Sequence, residues 1–140
     1  MRLFFDQCLS RKMVNFLAEM AEENEEIIKS DYGELSFVYL SDHPKFKHNT
    51  IDPDWLSVLA KEGDWIVVSG DIDLTRTQAN KRALKESGLT AFIFPKNYMN
   101  LKLWDKVYKV MGCLSAIIEC AHEHPKGTIL PISRQFEIKK

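Results

Sequence analysis

The stretch that decides the fold is Trp65-Ile-Val-Val-Ser-Gly-Asp-Ile-Asp-Leu74. Its first four residues are apolar and include two β-branched valines, a pattern typical of a strand buried on both faces. The run continues into Ser69, Gly70 and two carboxylates, Asp71 and Asp73. In open α/β sheets, ligands bind in the crevice beyond the carboxyl ends of the strands. The stretch therefore predicts a central strand that carries acids to a site for a cation.

Strand and helix patterns alternate along the rest of the chain. Apolar runs predict further strands at residues 3–5, 35–40, 89–94 and 127–132, the last at a sheet edge because Pro131 cannot donate to a ladder. Helical periodicity lies between them. The predicted N-caps of these helices are Ser10, Asp52, Thr75 or Thr77, and Asn100. This alternation predicts an α/β fold with a mostly parallel sheet and helices on both faces.

The longest predicted helix follows Asn100 and carries an apolar stripe, which consists of Leu101, Trp104, Val107, Tyr108, Met111, Leu114 and Ile118. We expect this stripe to be buried against the sheet, as part of the core. A homodimer formed through the same helix is the alternative.

Composition limits the class of protein. The 140 residues predict a single domain over residues 1–140, and 45% apolar residues allow a full core. The net charge of −1 gives no global basic excess, so any nucleic-acid binding has to come from a local patch. The three cysteines and the absence of a recognisable signal peptide favour a reducing cytoplasm. No apolar run approaches the ~20 residues of a membrane helix.

Six carboxylates are expected at one edge of the sheet, because each follows a predicted strand or begins a predicted helix. They are Asp6, Asp42, Asp52, Asp54, Asp71 and Asp73. Two carboxylates at ~5 Å repel by roughly 3 kcal/mol at an effective dielectric of about 20, so several together need a compensating charge. Oxygen ligands suit Mg²⁺ or Mn²⁺. Such sites commonly serve phosphoryl chemistry, in which the metal activates water and stabilises the leaving oxygen.

Each acid also has a purely structural interpretation. A helix cap explains Asp52, and turn geometry explains Asp42 and Asp73. Asp6 and Asp71 directly follow buried apolar runs, so a functional role is the favoured interpretation for these two.

Four segments, in order and spacing, resemble PIN-like nuclease domains, in particular the short VapC-type toxins of toxin–antitoxin pairs. The segments are Phe4-Phe-Asp-Gln-Cys-Leu-Ser10, Tyr39-Leu-Ser-Asp42, Asp52-Pro-Asp-Trp-Leu56 and Val67-Val-Ser-Gly-Asp-Ile-Asp-Leu74. The resemblance implies a Rossmann-like three-layer α/β/α sandwich. It also implies a Mg²⁺-dependent endoribonuclease that cleaves RNA with a metal-activated water, and a cognate antitoxin that blocks the acidic edge.

The resemblance assigns the metal to Asp6, Asp71 and Asp54, with Asp52 as the alternative to Asp54. Ser69 and Asp73 support these ligands. A glutamate that such domains usually carry on an early helix has no clear counterpart here, and Asp42 is the candidate substitute. For the RNA phosphates, Arg11 and Arg76 are the candidate contacts, because both fall at the expected active edge.

Two other interpretations share the acidic edge. The first is a PIN-like scaffold that does not catalyse and acts by binding protein or RNA, which the unplaced glutamate favours. The second is a receiver-like phosphoryl-transfer domain, for which Lys96 after the fourth strand has a suitable place. The isolated position of Asp6 argues against that second interpretation.

Overall fold

A parallel five-stranded sheet forms the centre of the computed structural model, which describes residues 1–47 and 49–138. The strand order is β2-β1-β3-β4-β5, and every pairing is parallel. The strands are β1 (Arg2–Phe5), β2 (Ser36–Tyr39), β3 (Trp65–Ser69), β4 (Thr90–Ile93) and β5 (Ile129–Pro131). The predicted parallel α/β fold is confirmed, with β5 at an edge as expected.

Helices connect successive strands. They are α1 (Arg11–Glu23), α2 (Glu25–Tyr32), α3 (Asp52–Glu62), α4 (Gln78–Ser87) and α5 (Leu103–Glu123). Three short 3₁₀ helices follow strand ends, at Leu40–Asp42, Ile72–Leu74 and Lys96–Asn100. Within the described ranges, no helix is both long and apolar enough to cross a membrane.

The sheet separates two hydrophobic cores, because successive side chains of a strand point to opposite faces. Leu3 and Phe5 pack with residues of α1 and α5, whereas Phe4 packs with residues of α3 and α4. The same alternation holds in β3, where Val68 belongs to the first core and Val67 to the second. Helices therefore cover both faces, and the three-layer α/β/α sandwich is confirmed.

The strand order places a crevice between β1 and β3. After β1 the chain crosses to β2 on one side, and after β3 it crosses to β4 on the other. In doubly wound sheets this reversal point opens a cleft at the carboxyl ends of the strands. Asp6 directly follows β1, and Gly70-Asp71 directly follows β3, so both segments lie at this cleft.

The helix starts were predicted with mixed success. Ser10 and Thr77 are N-caps, and each accepts a backbone N–H three residues on. The prediction that Asp52 caps α3 was wrong, because Ile51 is the N-cap and the Asp52 carboxylate bonds to side chains instead. Asn100 was also wrong as a cap, because it ends a 3₁₀ helix and α5 begins after Lys102.

The predicted burial of the α5 stripe was right for one side of the stripe and wrong for the other, because Ile118 is buried and Leu101, Val107 and Leu114 pack partly buried against the core. Trp104, Tyr108 and Met111 are 79%, 73% and 42% exposed. The buried face carries Val110, Cys113, Ile117, Ile118 and Cys120. At 3.6 residues per turn, Tyr108 lies nearly opposite the centre of that buried face. Apolar residues extend around more than one side of α5, so periodicity found one edge of the buried face but not its centre.

Phe4 provides a test of the α3/α4 core. Its ring is fully buried and lies 5.0 Å from the ring of Trp55 and 5.9 Å from that of Phe46. Phe4→Ala should lower the free energy of unfolding by about 3–5 kcal/mol, because it leaves a cavity. Phe16, 47% exposed on α1, is the matched control, and Phe16→Ala should cost much less. Urea denaturation measures both, and equal losses would contradict this packing.

Candidate carboxylate site

Asp6 is the buried centre of the site, with 2% of its surface exposed. Its Oδ1 accepts the backbone N–H of Cys8 at 3.1 Å and that of Gly70 at 3.4 Å. Its Oδ2 accepts the Ser69 hydroxyl. Donors from both strand ends therefore fix the orientation of this carboxylate.

Ser69 links Asp6 to the acid loop after β3. Its hydroxyl is fully buried, donates to Asp6 and accepts the backbone N–H of Asp71 at 3.0 Å. The predicted supporting position of Ser69 beside the acids therefore corresponds to a direct hydrogen-bond bridge.

Gly70 lies between Ser69 and Asp71 in the chain, and its backbone packs closely against Tyr98. A Cβ at Gly70 would come within 2.9 Å of the Tyr98 ring and 3.2 Å of the Cys8 Cβ. Glycine is therefore needed for this approach of the backbone to an aromatic ring.

Burial raises the pKa of Asp6 to about 7. Desolvation is the main cause, and the charge of Asp52 adds to it, whereas the hydrogen bonds from Ser69, Gly70 and Cys8 lower the pKa. Asp6 is therefore close to half-protonated at neutral pH. A positive charge brought next to it would favour its carboxylate form.

Asp52 is the second carboxylate of the site, placed by the first turn of α3. Its Oδ1 accepts the indole N–H of Trp55, and its Oδ2 accepts the side-chain amide of Asn80, each at 3.0 Å. Partial burial raises its pKa, and the charges of Asp71 and Asp73 raise it further. Asp52 thus shares an electrostatic field with Asp6, Asp71 and Asp73.

Asp54 has a different environment. It is exposed, and its side chain makes no hydrogen bond or ion pair with any described residue. The sequence left a choice between Asp54 and Asp52 for the acid of this helix. The structure places Asp52, and not Asp54, in electrostatic contact with Asp6 and Asp71.

Asp71 and Asp73 belong to one turn after β3. The Oδ1 of Asp71 accepts the backbone N–H of Asp73 at 2.9 Å, which caps the 3₁₀ helix Ile72–Leu74. Asp71 is half-buried and Asp73 is exposed. Both side chains therefore border the cleft from its solvent side, above the buried Asp6.

Asp42 and Arg11 bind each other at the rim. The Arg11 guanidinium donates to both carboxylate oxygens of Asp42, at 2.5 and 3.2 Å. Asp42, the predicted substitute ligand, and Arg11, one of the predicted phosphate contacts, are therefore bound to each other. Arg76, the other predicted contact, is exposed after the 3₁₀ helix, and its side chain has no partner in residues 1–47 and 49–138.

The donor set suits a hard divalent cation, since it consists of carboxylate oxygens. The side chains as placed are less suitable, because among the described residues no three His, Cys, Asp or Glu side chains approach closely enough to bind one ion. Asp6 and Asp52 are fixed by protein donors. A metal would therefore require the more exposed Asp71 or Asp73 to turn towards them.

Three functional neighbours were missed from the sequence: Trp55, Asn80 and Tyr98. Trp55 and Asn80 orient Asp52, and Tyr98 packs on Gly70. No local pattern marked them, since Asn80 lies in the first turn of α4, where a polar residue is ordinary. The nearby thiol is not an alternative nucleophile, because desolvation raises the pKa of Cys8 to about 12.

Lys96, on which the receiver-like interpretation depends, begins the 3₁₀ helix Lys96–Asn100 and is exposed. Within the part of the chain that is described, its side chain has no contact with the carboxylates.

The raised pKa of Asp6 makes stability depend on pH. The protonated form is favoured on folding, so this stability is complete below about pH 4 and is lost as the pH rises through about 7. Asp6→Asn imitates the protonated acid. In EDTA, the unfolding free energy of Asp6→Asn minus that of the wild type should increase by roughly 2–3 kcal/mol between pH 5 and pH 8.

Urea denaturation at four pH values in that range measures this difference. The exposed Asp31 supplies the control, and Asp31→Asn should show no such growth. An Asp6→Asn advantage that is the same at pH 5 and pH 8 would show that Asp6 is not buried as described.

Comparison with known proteins identifies a family. The sequence model of a family described as "PIN like domain" matches residues 1–96, about two thirds of the chain. The matched part contains β1 to β4 and all four carboxylates of the site. No curated protein and no solved structure matches significantly.

Proposed function

The chain belongs to the PIN-like domain family, whose members are generally nucleases, and from this membership we propose that it is a metal-dependent endoribonuclease. The observation that supports the proposal most is the position of Asp6. A buried carboxylate with a pKa of about 7 lies at the cleft between β1 and β3, next to three further acids. Perturbed acids in a cleft are typical of functional sites.

The proposed ligands of Mg²⁺ or Mn²⁺ are Asp6, Asp52 and Asp71, with Asp73 next to them. When bound, the ion would supply an activated water and stabilise the charge on the leaving oxygen of the RNA phosphodiester. Asp52 takes the place of Asp54 in this set because Asp52 interacts electrostatically with the other acids.

The protein's own groups orient these acids. Ser69 and the backbone N–H groups of Cys8 and Gly70 fix both oxygens of Asp6. Trp55 and Asn80 do the same for Asp52. Such positioning reduces the reorganisation that metal and substrate binding would otherwise require.

Arg76 is the proposed phosphate contact at the rim. Arg11 is a weaker candidate, because a phosphate would have to displace Asp42 from it.

The toxin role, an antitoxin partner and a cytoplasmic location are proposals that come from the resemblance to VapC-type proteins and from composition. A surface for a protein partner is the exposed stripe of Trp104, Tyr108 and Met111, since aromatic residues and methionine are enriched at interfaces. A homodimer through this stripe is the alternative. Sedimentation of the isolated chain distinguishes the two, because a monomer in isolation leaves the stripe for another protein.

A second candidate function is a PIN-like scaffold that binds protein or RNA without cleaving it. One observation favours it: no three potential ligands converge among the described residues.

Cleavage of single-stranded RNA with Mg²⁺ tests the first proposal. Asp6→Asn, Asp52→Asn and Asp71→Asn should each lower the rate by at least 100-fold, because each removes a proposed ligand. Asp54→Asn should retain most activity, and Asp31→Asn is the matched control on an exposed part of α2. Loss of activity in Asp54→Asn but not in Asp52→Asn would reverse the assignment. Equal cleavage by all variants would identify a contaminating nuclease and contradict the proposal.

Metal titration separates the two candidates without an RNA substrate. Mn²⁺ followed by calorimetry should bind the wild type and should bind Asp6→Asn at least tenfold more weakly. A bound ion should also raise the unfolding free energy of the wild type, by roughly 2.7 kcal/mol at a hundredfold excess over Kd. Equal Mn²⁺ binding by both proteins, or none by either, supports the scaffold.

A further inference from the structure

A second cavity lies beside the carboxylate site, between the start of α1, the 3₁₀ helix Lys96–Asn100 and the first turns of α5. Its volume is about 170 Å³, and its lining consists of Cys8, Leu9, Ser10, Met13, Tyr98, Leu103, Lys106 and Val107. Cys8 belongs to both places, because its backbone N–H binds Asp6. A molecule in the cavity would therefore lie next to the carboxylates.

The cavity wall is mostly apolar and rigid. Tyr98 is 1% exposed and is fixed between Gly70 and the ring of Phe94, whose centroid is 4.8 Å away. Leu103 lies in the lining and is 58% exposed. A flat apolar ring entering here would cover Leu103 without requiring the core to move.

Three polar groups remain available in this lining, namely the Lys106 ammonium and the hydroxyls of Ser10 and Tyr98, the last of which has no hydrogen bond to a described residue. Lys106 alone among the lining residues carries a charge, and its ammonium lies 5.7 Å from the centre of the Tyr98 ring. No described carboxylate pairs with it. The Ser10 oxygen accepts the N–H of Met13 at 3.2 Å, which leaves the hydroxyl proton free to donate. The cavity thus offers three donor groups to a ligand that carries acceptors and negative charge.

Single-stranded RNA has this combination of groups. Its unstacked bases insert between apolar and aromatic side chains, and its phosphates pair with lysine. The volume lies below the ~300 Å³ of a typical small-molecule site, so it favours one ring over two. A pyrimidine presents carbonyl oxygens that accept from a hydroxyl.

We propose that this cavity binds a pyrimidine base of single-stranded RNA next to the cleaved phosphodiester. The base lies against Leu103 and Val107, the Ser10 hydroxyl donates to a carbonyl oxygen of the base, and Lys106 pairs with the phosphate of that nucleotide. The proposal rests on the proposed ribonuclease function and adds a substrate preference to it.

The cavity is distinct from the exposed stripe of α5. Leu103, Lys106 and Val107 face the cavity, whereas Trp104 and Tyr108 are each one position further along and so about 100° around the helix. A protein that covers the stripe therefore does not need to enter the cavity.

Binding of fluorescent five-nucleotide RNAs tests the proposal, with the full chain in EDTA so that no cleavage occurs. Oligo-U should bind at least fivefold more tightly than oligo-A. Lys106→Ala should weaken oligo-U binding at least tenfold and lower the salt slope by about 0.7, the value for one phosphate on a single strand. Lys106→Arg should restore most of the affinity.

Lys109→Ala is the matched control, because Lys109 lies over the Phe136 ring and outside the cavity lining. It should change oligo-U affinity less than twofold. Leu103→Ser is a second variant at an exposed position and should weaken oligo-U binding about fivefold. With Mg²⁺, Lys106→Ala should raise KM more than it lowers kcat.

Equal affinity for oligo-U and oligo-A, or unchanged binding by Lys106→Ala and Leu103→Ser, overturns the proposal while Mg²⁺-dependent cleavage would still stand. Pyrimidine binding that depends on Lys106, in a protein that does not cleave RNA, supports the cavity and overturns the ribonuclease. A dimer in sedimentation that Lys106→Ala dissociates would assign Lys106 to an interface between copies and overturn the proposal.

Discussion

The burial of one carboxylate between two parallel strands determines the rest of this site. Asp6 directly follows β1 and receives its hydrogen bonds from its own loop and from Ser69 and Gly70 at the end of β3. Its two oxygens can be satisfied only while β1 and β3 remain neighbours, so the sheet order and the site are coupled. The desolvation that raises its pKa is the cost of this arrangement. An aspartate exposed to solvent would not couple the order of the strands to the site in this way.

The fold could be predicted from the sequence because its signals were strong and local. Short apolar runs identified the strands, and Ser10 identified one helix start, while Thr77 was one of two alternatives for another. The stripe on α5 could not be predicted in the same way. Val110, Cys113 and Ile117 form an apolar face of their own, so the helix offers two candidate faces, and only the position of the sheet decides between them.

The site was predicted in outline because parallel strands bring their carboxyl ends to one edge. The choice between Asp52 and Asp54 depended on tertiary contacts that the sequence does not show. Asp52 is turned towards the cleft by Trp55, in its own helix, and by Asn80, in the next one. The contact with Asn80 joins residues 28 positions apart, a separation that local patterns do not detect.

The distribution of basic side chains leaves the carboxylates of the inner cleft without ion-pair partners among the described residues. Several basic side chains are paired with acids outside the inner cleft, as in the pairs Arg11–Asp42, Lys45–Glu62 and Lys126–Asp64.

No described basic side chain forms an ion pair with Asp6, Asp52 or Asp71. Burial raises the pKa of Asp6 and of Asp52 and so favours their protonated forms, whereas a bound cation would favour their carboxylate forms. An RNA phosphate adds negative charge, so its approach favours the cation over the proton. Metal and RNA should therefore bind with positive cooperativity. In the proposed complex, Lys106 in the adjacent cavity neutralises the charge of a neighbouring phosphate and not the charge of the acids.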